Sequence, residues 1–207
     1  MFITFEGTEG CGKSTLIQNL AQALRHRGCK VVVTREPGGV EVAEKIRSLI
    51  LHQEMEPLTE LFLYEAARAE HYKKVIEPAL KKGDWVLCDR FTDSTLAYQG
   101  AARGLSTKMI QGLNRFATEN RVPDLTLWLD LPVEEGLARA KDPNKFEAEG
   151  IVFQKKVRKG FLKIHRDQPK RFVKVSVRGL NPEQVTQAAL SVILKRKSLK
   201  TKTRKST

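Results

Sequence analysis

GTEGCGKS, residues 7–14, followed at once by Thr15, is the stretch on which the fold turns. It fits G-x-x-x-x-G-K-[ST], a loop whose backbone N–H groups cradle phosphate oxygens. Gly7, Gly10 and Gly12 permit backbone angles closed to other residues, and Thr8, Glu9 and Cys11 fill the positions between them. Lys13 is expected to reach the β- and γ-phosphates of a nucleotide, and the Ser14 hydroxyl to ligate Mg²⁺. The surroundings support the match: the apolar run MFITFEG enters the loop and a helical pattern from Lys13 to Arg27, stopped by Gly28, leaves it. A polyphosphate site alone suits a phosphoryl-transfer enzyme, a hydrolytic switch or a motor.

Outward from the loop, apolar β-rich runs alternate with helix-length periodic segments. Strands are predicted in residues 1–7, 30–36, 85–90, 124–131 and 171–177, mostly as continuous apolar runs with both faces covered. Helices are predicted over 13–27, 40–52, 59–82, 106–120, 132–140, 151–168 and 182–197, the last opening at Asn181-Pro182. This order predicts an α/β fold: one parallel five-stranded sheet with helices on both faces. The domain is expected to span 1–194, with a charged, mobile lid at about 140–150. There is no internal repeat.

A chain of 207 residues, 41% hydrophobic and 29% charged, can bury a core without disulfides. It has no apolar run long enough for a membrane span and no signal-peptide pattern at its start. Cys11, Cys29 and Cys88 lack metal-ligand spacing and read as reduced thiols of a cytoplasmic protein. Nothing in the sequence makes Cys11 a nucleophile. Of the net charge of +13, seven charges lie in KRKSLKTKTRKST (195–207), leaving +6 elsewhere. This tail is expected to be disordered and solvated, and contact with nucleic acid is the alternative role for it.

Two further stretches bear on what happens to the phosphate. TREPGG (34–39) ends the second strand, and CDRFTDSTLAYQGAARG (88–104) begins at the end of the third, both at carboxyl ends where open α/β sheets bind ligands. Asp89 would stand beside a metal and Arg90 on a phosphate, with a structural ion pair as the plainer option. Tyr64 and Arg68, four apart on one helix face, offer a ring for a base and a fork for a phosphate or carbonyl. Core packing for Tyr64 and a surface place for Arg68 is the competing reading.

EGTEGCGKST, TREPGG, YEAARAEH, CDRFTDSTLAYQGAARG and NKFE, in this order and at these intervals, resemble bacterial thymidylate kinases from Met1 to about residue 183. The resemblance implies a P-loop nucleoside-monophosphate-kinase fold, a homodimer, and transfer of the γ-phosphoryl group of ATP to dTMP with Mg²⁺. It implies Glu9 near the acceptor sugar, and Arg35, Glu36 and Pro37 at the acceptor phosphate and metal edge. Tyr64 would stack on thymine and Arg68 contact it. Arg90 would orient the acceptor phosphate, and Asp89 would join Ser14 and Glu36 at the metal. Ser94, Thr95, Tyr98 and Gln99 would line the pocket, with Thr95 and Gln99 reading the base edge and Tyr98 the sugar.

The lid departs from the family pattern. Relatives that lack a P-loop arginine, as this chain does at Gly10, supply catalytic arginines from the lid. Here ARAKDPNKFE holds only Arg139, and Asn144-Lys145-Phe146-Glu147 replaces the usual Asp-Arg-Phe-Glu. Arg139 and Lys141, joined by Lys145, are expected to cover the ATP phosphates. Of the other classes, a kinase with a different acceptor fits most motifs. A GTPase lacks its base-reading Asn/Thr-Lys-x-Asp, and a nucleic-acid binder leaves DRFTDSTLAYQG unexplained.

Overall fold

The computed structural model describes residues 1–139 and 149–204, with side chains as far as Lys197. Five strands, β1 (Phe2–Glu6), β2 (Val31–Arg35), β3 (Trp85–Asp89), β4 (Leu125–Asp130) and β5 (Phe172–Ser176), form one parallel sheet in the order β2-β3-β1-β4-β5. The expected fold class and all five strands are present. The three inner strands are almost wholly buried, whereas β2 and β5 at the edges are partly exposed. This is why the inner strands read as unbroken apolar runs.

One face of the sheet is covered by α1 (Lys13–Arg25) and the C-terminal helix, with Ile3, Phe5 and Leu127 packed against Leu16, Leu20, Ala189 and Ile193. The other face carries Phe2, Val86 and Cys88, then Trp128 and Phe172. It is covered by α3 (Pro57–His71) with its continuation, and by α8 (Gly150–Asp167). A π-helical turn at Tyr72–Ile76 joins α3 to α4 (Glu77–Lys81), so the helix expected over 59–82 changes register just before Pro78, which has no N–H to donate. Next to α3 lie α2 (Glu41–His52) and α6 (Thr107–Ala117); α7 (Val133–Arg139) follows β4.

Two segments differ from the sequence reading. Residues after β3 are helical, as α5 (Thr92–Thr95) running into a π-helical turn at Leu96–Ala102. Gly160 of α8 lets that turn pack closely: a Cβ there would lie 2.9 Å from the Ala97 Cα. The last helix, α9 (Pro182–Arg204), runs into the stretch expected to be a disordered tail. Residues 183–204 contain no Gly or Pro, and their lysines and arginines are good helix formers. Among the described residues no helix is long and apolar enough to cross a membrane.

Candidate active site

The ladder itself assembles the site. Register pairs Arg35 with Asp89 and Asp89 with Phe5, so the carboxyl ends of β2, β3 and β1 lie side by side. From β1 the chain enters the phosphate loop, where Gly7, Gly10 and Gly12 have φ of 150°, 69° and 90°. No side chain caps α1, so the first-turn amides face outward with the positive end of the helix. Lys13 is buried and its Nζ donates to the carbonyls of Gly7 (3.3 Å) and Thr8 (3.2 Å). Those long bonds can be exchanged for phosphate oxygens.

Gly10 explains the missing loop arginine. A Cβ at Gly10 would lie 2.1 Å from the carbonyl oxygen of Gly136 in α7, and one at Gly136 would lie 2.5 Å from that of Glu9. Two glycines thus bring the loop against the helix that leads to the lid. Arg139 ends this helix beside a pocket that includes Gly12, Thr15, Val177, Leu180 and Pro182, and approaches Glu135 at 4.0 Å. The apolar wall from Val177 to Val185 was not singled out from sequence, because β5 and the start of α9 meet the loop only in three dimensions. Lys141, Lys145 and the remainder of 140–148 lie outside the described residues.

Ser14, Arg35 and Asp89 line a common cavity of about 400 Å³. Asp89 Oδ1 is buried with no hydrogen-bond partner among the described residues. An orphaned carboxylate oxygen across from a loop serine suits Mg²⁺, which binds through one or two carboxylates together with substrate phosphates. Among the described residues no cluster of three His, Cys, Asp or Glu could hold a metal unaided. Glu36 borders the acceptor-side cavity; it is buried, accepts from Arg68 Nε (2.8 Å), and bonds His71 Nδ1 (3.0 Å), so both of its oxygens are engaged. Arg35 is held at the rim by Glu44 (2.8 and 2.9 Å).

The second cavity opens between the loop and α3, and is lined by Glu9, Glu36, Pro37, Tyr64, Arg68, Arg90, Ser94, Tyr98 and Gln99. Arg47 also lines it, its Nη1 donating to the Pro37 carbonyl (3.1 Å). It was missed because a lone arginine on an amphipathic helix reads as surface. Arg68 is fully buried rather than exposed: Nη1 donates to Glu65 (2.8 Å) and Asn114 (2.7 Å). Its Nη2 has no partner among the described residues. Thr95 does not line this cavity; its hydroxyl donates to the Thr92 carbonyl (2.8 Å) and Asn114 (3.1 Å), one layer behind.

Arg90 joins the two halves. Its φ of 65° is unusual for a bulky residue and aims the side chain back over the loop. Nη1 donates to the Gly7 carbonyl (3.0 Å) and Ser94 Oγ (3.4 Å), Nη2 pairs with Glu9, and the guanidinium lies 5.1 Å from the Tyr98 ring centroid. Burial would push the Glu9 carboxyl up, but Arg90, Lys13 and Arg47 outweigh it and hold it down at about 2. Glu6 behaves oppositely. Burial, with the Asp93 carboxylate second, pushes it up to about 8 against the pull of Arg90 and of hydrogen bonds from Ser94 and Phe91. A neutral Glu6 leaves the charge of Arg90 to Glu9 and to an incoming phosphate.

A phosphate loop, a carboxylate suited to a metal, and a second anion pocket bridged to the loop by one arginine define a P-loop phosphotransferase with two nucleotide sites. The family model described as thymidylate kinase matches residues 5–189. The thymidylate kinase of Geotalea uraniireducens is 48% identical over 202 residues, covering 92% of this chain and 94% of its own. That of Pseudomonas fluorescens is 53% identical over 181 residues, covering 84% and 86%. The crystal structure of the Ehrlichia chaffeensis thymidylate kinase superposes with a TM-score of 0.79 at 33% identity, over 93% of this chain and 98% of that one. The chain belongs to the thymidylate kinase family and phosphorylates dTMP to dTDP with ATP as donor.

Proposed function

We propose that dTMP binds in the cleft between Tyr64 and Arg90 and ATP across the phosphate loop, with Arg90 aligning the two. The observation that carries this is the placement of Arg90, which touches both the loop carbonyl of Gly7 and the acceptor-side residues Ser94 and Tyr98. Lys13 and the loop amides hold the donor phosphates, and Arg35 supports the anion at the rim. Tyr64 stacks on the base while Arg68 and Gln99 meet its polar edge; Glu9 and Tyr98 face the sugar. Glu36 and Thr95 act as positioning residues, given their buried partners. Ser14 and Asp89 are the residues that would hold Mg²⁺, which supplies charge neutralisation between the donor phosphates. Arg139, at the end of α7, covers the donor phosphates.

Transfer needs alignment and charge stabilisation more than covalent help. The attacking acceptor oxygen is already ionised, so no general base is required. Fixed donors such as the Arg90 fork cost no reorganisation at the moment of transfer. Replacing Arg90 by Ala should lower kcat/KM for dTMP by about 10²–10³-fold, the usual loss for one preorganised donor, and Lys should restore only part. A change within about twofold for both variants would refute the assignment.

A homodimer is part of this reading. Val42 and Leu49 on α2, Leu58 and Phe62 on α3, and Met109 and Phe116 on α6 are exposed apolar side chains on helices that pack together. The catalytic domain is taken as 1–194. Free Cys11, Cys29 and Cys88 support a cytoplasmic, reducing location.

A further inference from the structure

Gln99 faces the acceptor cleft, but its hydrogen-bonding character is set by a residue that does not. Glu60, in the first turn of α3, is fully buried and accepts from Gln99 Nε2 at 2.8 Å. Its two oxygens also take Arg103 Nε (3.4 Å) and Nη2 (3.3 Å). Arg103 is in turn fixed by Glu149 (2.5 Å) and lies over the Phe153 ring at 4.8 Å. A carboxylate held by a guanidinium can only accept. The Gln99 amide must therefore aim its NH₂ group at Glu60, which turns its carbonyl oxygen to the other side.

Arg68 supplies the opposite character. With Nε and Nη1 committed to Glu36, Glu65 and Asn114, Nη2 is the nitrogen left to donate. Gln99 and Arg68 thus offer the cleft an acceptor and a donor. Thymine carries an N3–H donor beside an O4 acceptor and matches that pair. Cytosine carries an N3 acceptor beside an amino donor and mismatches both. Tyr64 can stack on either ring, so it adds affinity without choosing.

We propose that Glu60 is the residue that sets base specificity: it locks the Gln99 amide as an acceptor and so selects a 4-oxo pyrimidine with N3–H over a 4-amino one. This rests on the acceptor-cleft reading above. Unpaired buried groups are what make such a site reject the wrong partner.

The test compares kcat/KM for dTMP and dCMP in wild type, Glu60→Gln, the swap Glu60→Gln/Gln99→Glu, and Gln99→Ala, with folding checked by circular dichroism. In Glu60→Gln the amide at 99 is free to turn over. The dTMP/dCMP ratio should then fall at least ~10-fold, mainly through a higher KM for dTMP, with KM for ATP unchanged. In the swap, the carboxylate at 99 can only accept and the amide at 60 donates to it, so the ratio should recover. An unchanged ratio in Glu60→Gln, while Gln99→Ala does raise KM for dTMP, would overturn the role of Glu60 alone. A folded swap that restores no discrimination would overturn it too. A Gln99→Ala enzyme with unaltered KM for both acceptors would instead refute the acceptor-cleft reading.

Discussion

Glu6 makes the fold depend on pH in a direction opposite to that of most carboxylates. It is fully buried at the end of β1, where Oε1 accepts from Phe91 N (2.9 Å) and Ser94 N (3.2 Å) and Oε2 accepts from Ser94 Oγ (2.6 Å). Asp93 lies nearby, held by two 2.8 Å bonds from Arg171, and its carboxylate disfavours a second charge on Glu6. In the unfolded chain Glu6 releases its proton near 4.5; in the folded protein it holds it until about 8. Below 4.5 both states are protonated and the folded state has its full stability from this group. As pH rises toward 8 the unfolded chain alone loses a proton, so stability falls by ~1.4 kcal/mol per pH unit, about 5 kcal/mol in all. Replacing Glu6 by Gln keeps the shape and an acceptor for the two amides while removing the titration. Urea unfolding, followed by the fluorescence of buried Trp85 and Trp128, should give similar stabilities for both proteins near pH 5. By pH 8 the variant should be more stable by several kcal/mol, about 3–5. Parallel pH profiles for the two proteins would refute the reasoning.

Gly136→Ala puts a Cβ 2.5 Å from the Glu9 carbonyl and must displace the phosphate loop. It should lower kcat/KM for ATP by at least about tenfold, and an unchanged value would show that the α7 contact does not position the loop. Arg139→Ala should lower kcat at least about tenfold in steady-state assays, and an unchanged kcat would remove Arg139 from the donor phosphates. Asp89→Asn should raise the Mg²⁺ concentration for half-maximal rate at least about tenfold, whereas a metal dependence equal to wild type would place the ion elsewhere. Phe62→Asp should turn a dimer into a monomer in sedimentation velocity; a variant that still dimerises would exclude the α2–α3–α6 face.

Much of this molecule was legible in its sequence, and the reason is local. The loop glycines, the strand that precedes them and the Arg-Glu-Pro and Asp-Arg pairs at strand ends each carry their signal within a few residues. The helix over 92–102 was not read, because its opening amides at Phe91 and Ser94 are satisfied by Glu6, from a strand more than eighty residues away in sequence. A cap supplied from so far leaves no local pattern. The side-chain partners of Glu36 and Thr95 were hidden for a related cause: each lies in a motif that touches the site, but Arg68, His71 and Asn114 claim their side chains. Arg47, Glu60 and Asn114 were invisible because a polar residue on an amphipathic helix shows its partner only after the helices pack. At the end of α9 a run of lysines, whose charge suggested disorder, also carries helix propensity without a break.

The most direct test of the account is ADP release by the purified protein with ATP, Mg²⁺ and each of dTMP, dCMP, dGMP and AMP in turn. A kcat/KM for dTMP at least about a hundredfold above every other acceptor is the predicted result, and it would also show that a lid with one arginine suffices. Turnover that favours another nucleotide would contradict the roles given to Tyr64, Arg68 and Gln99.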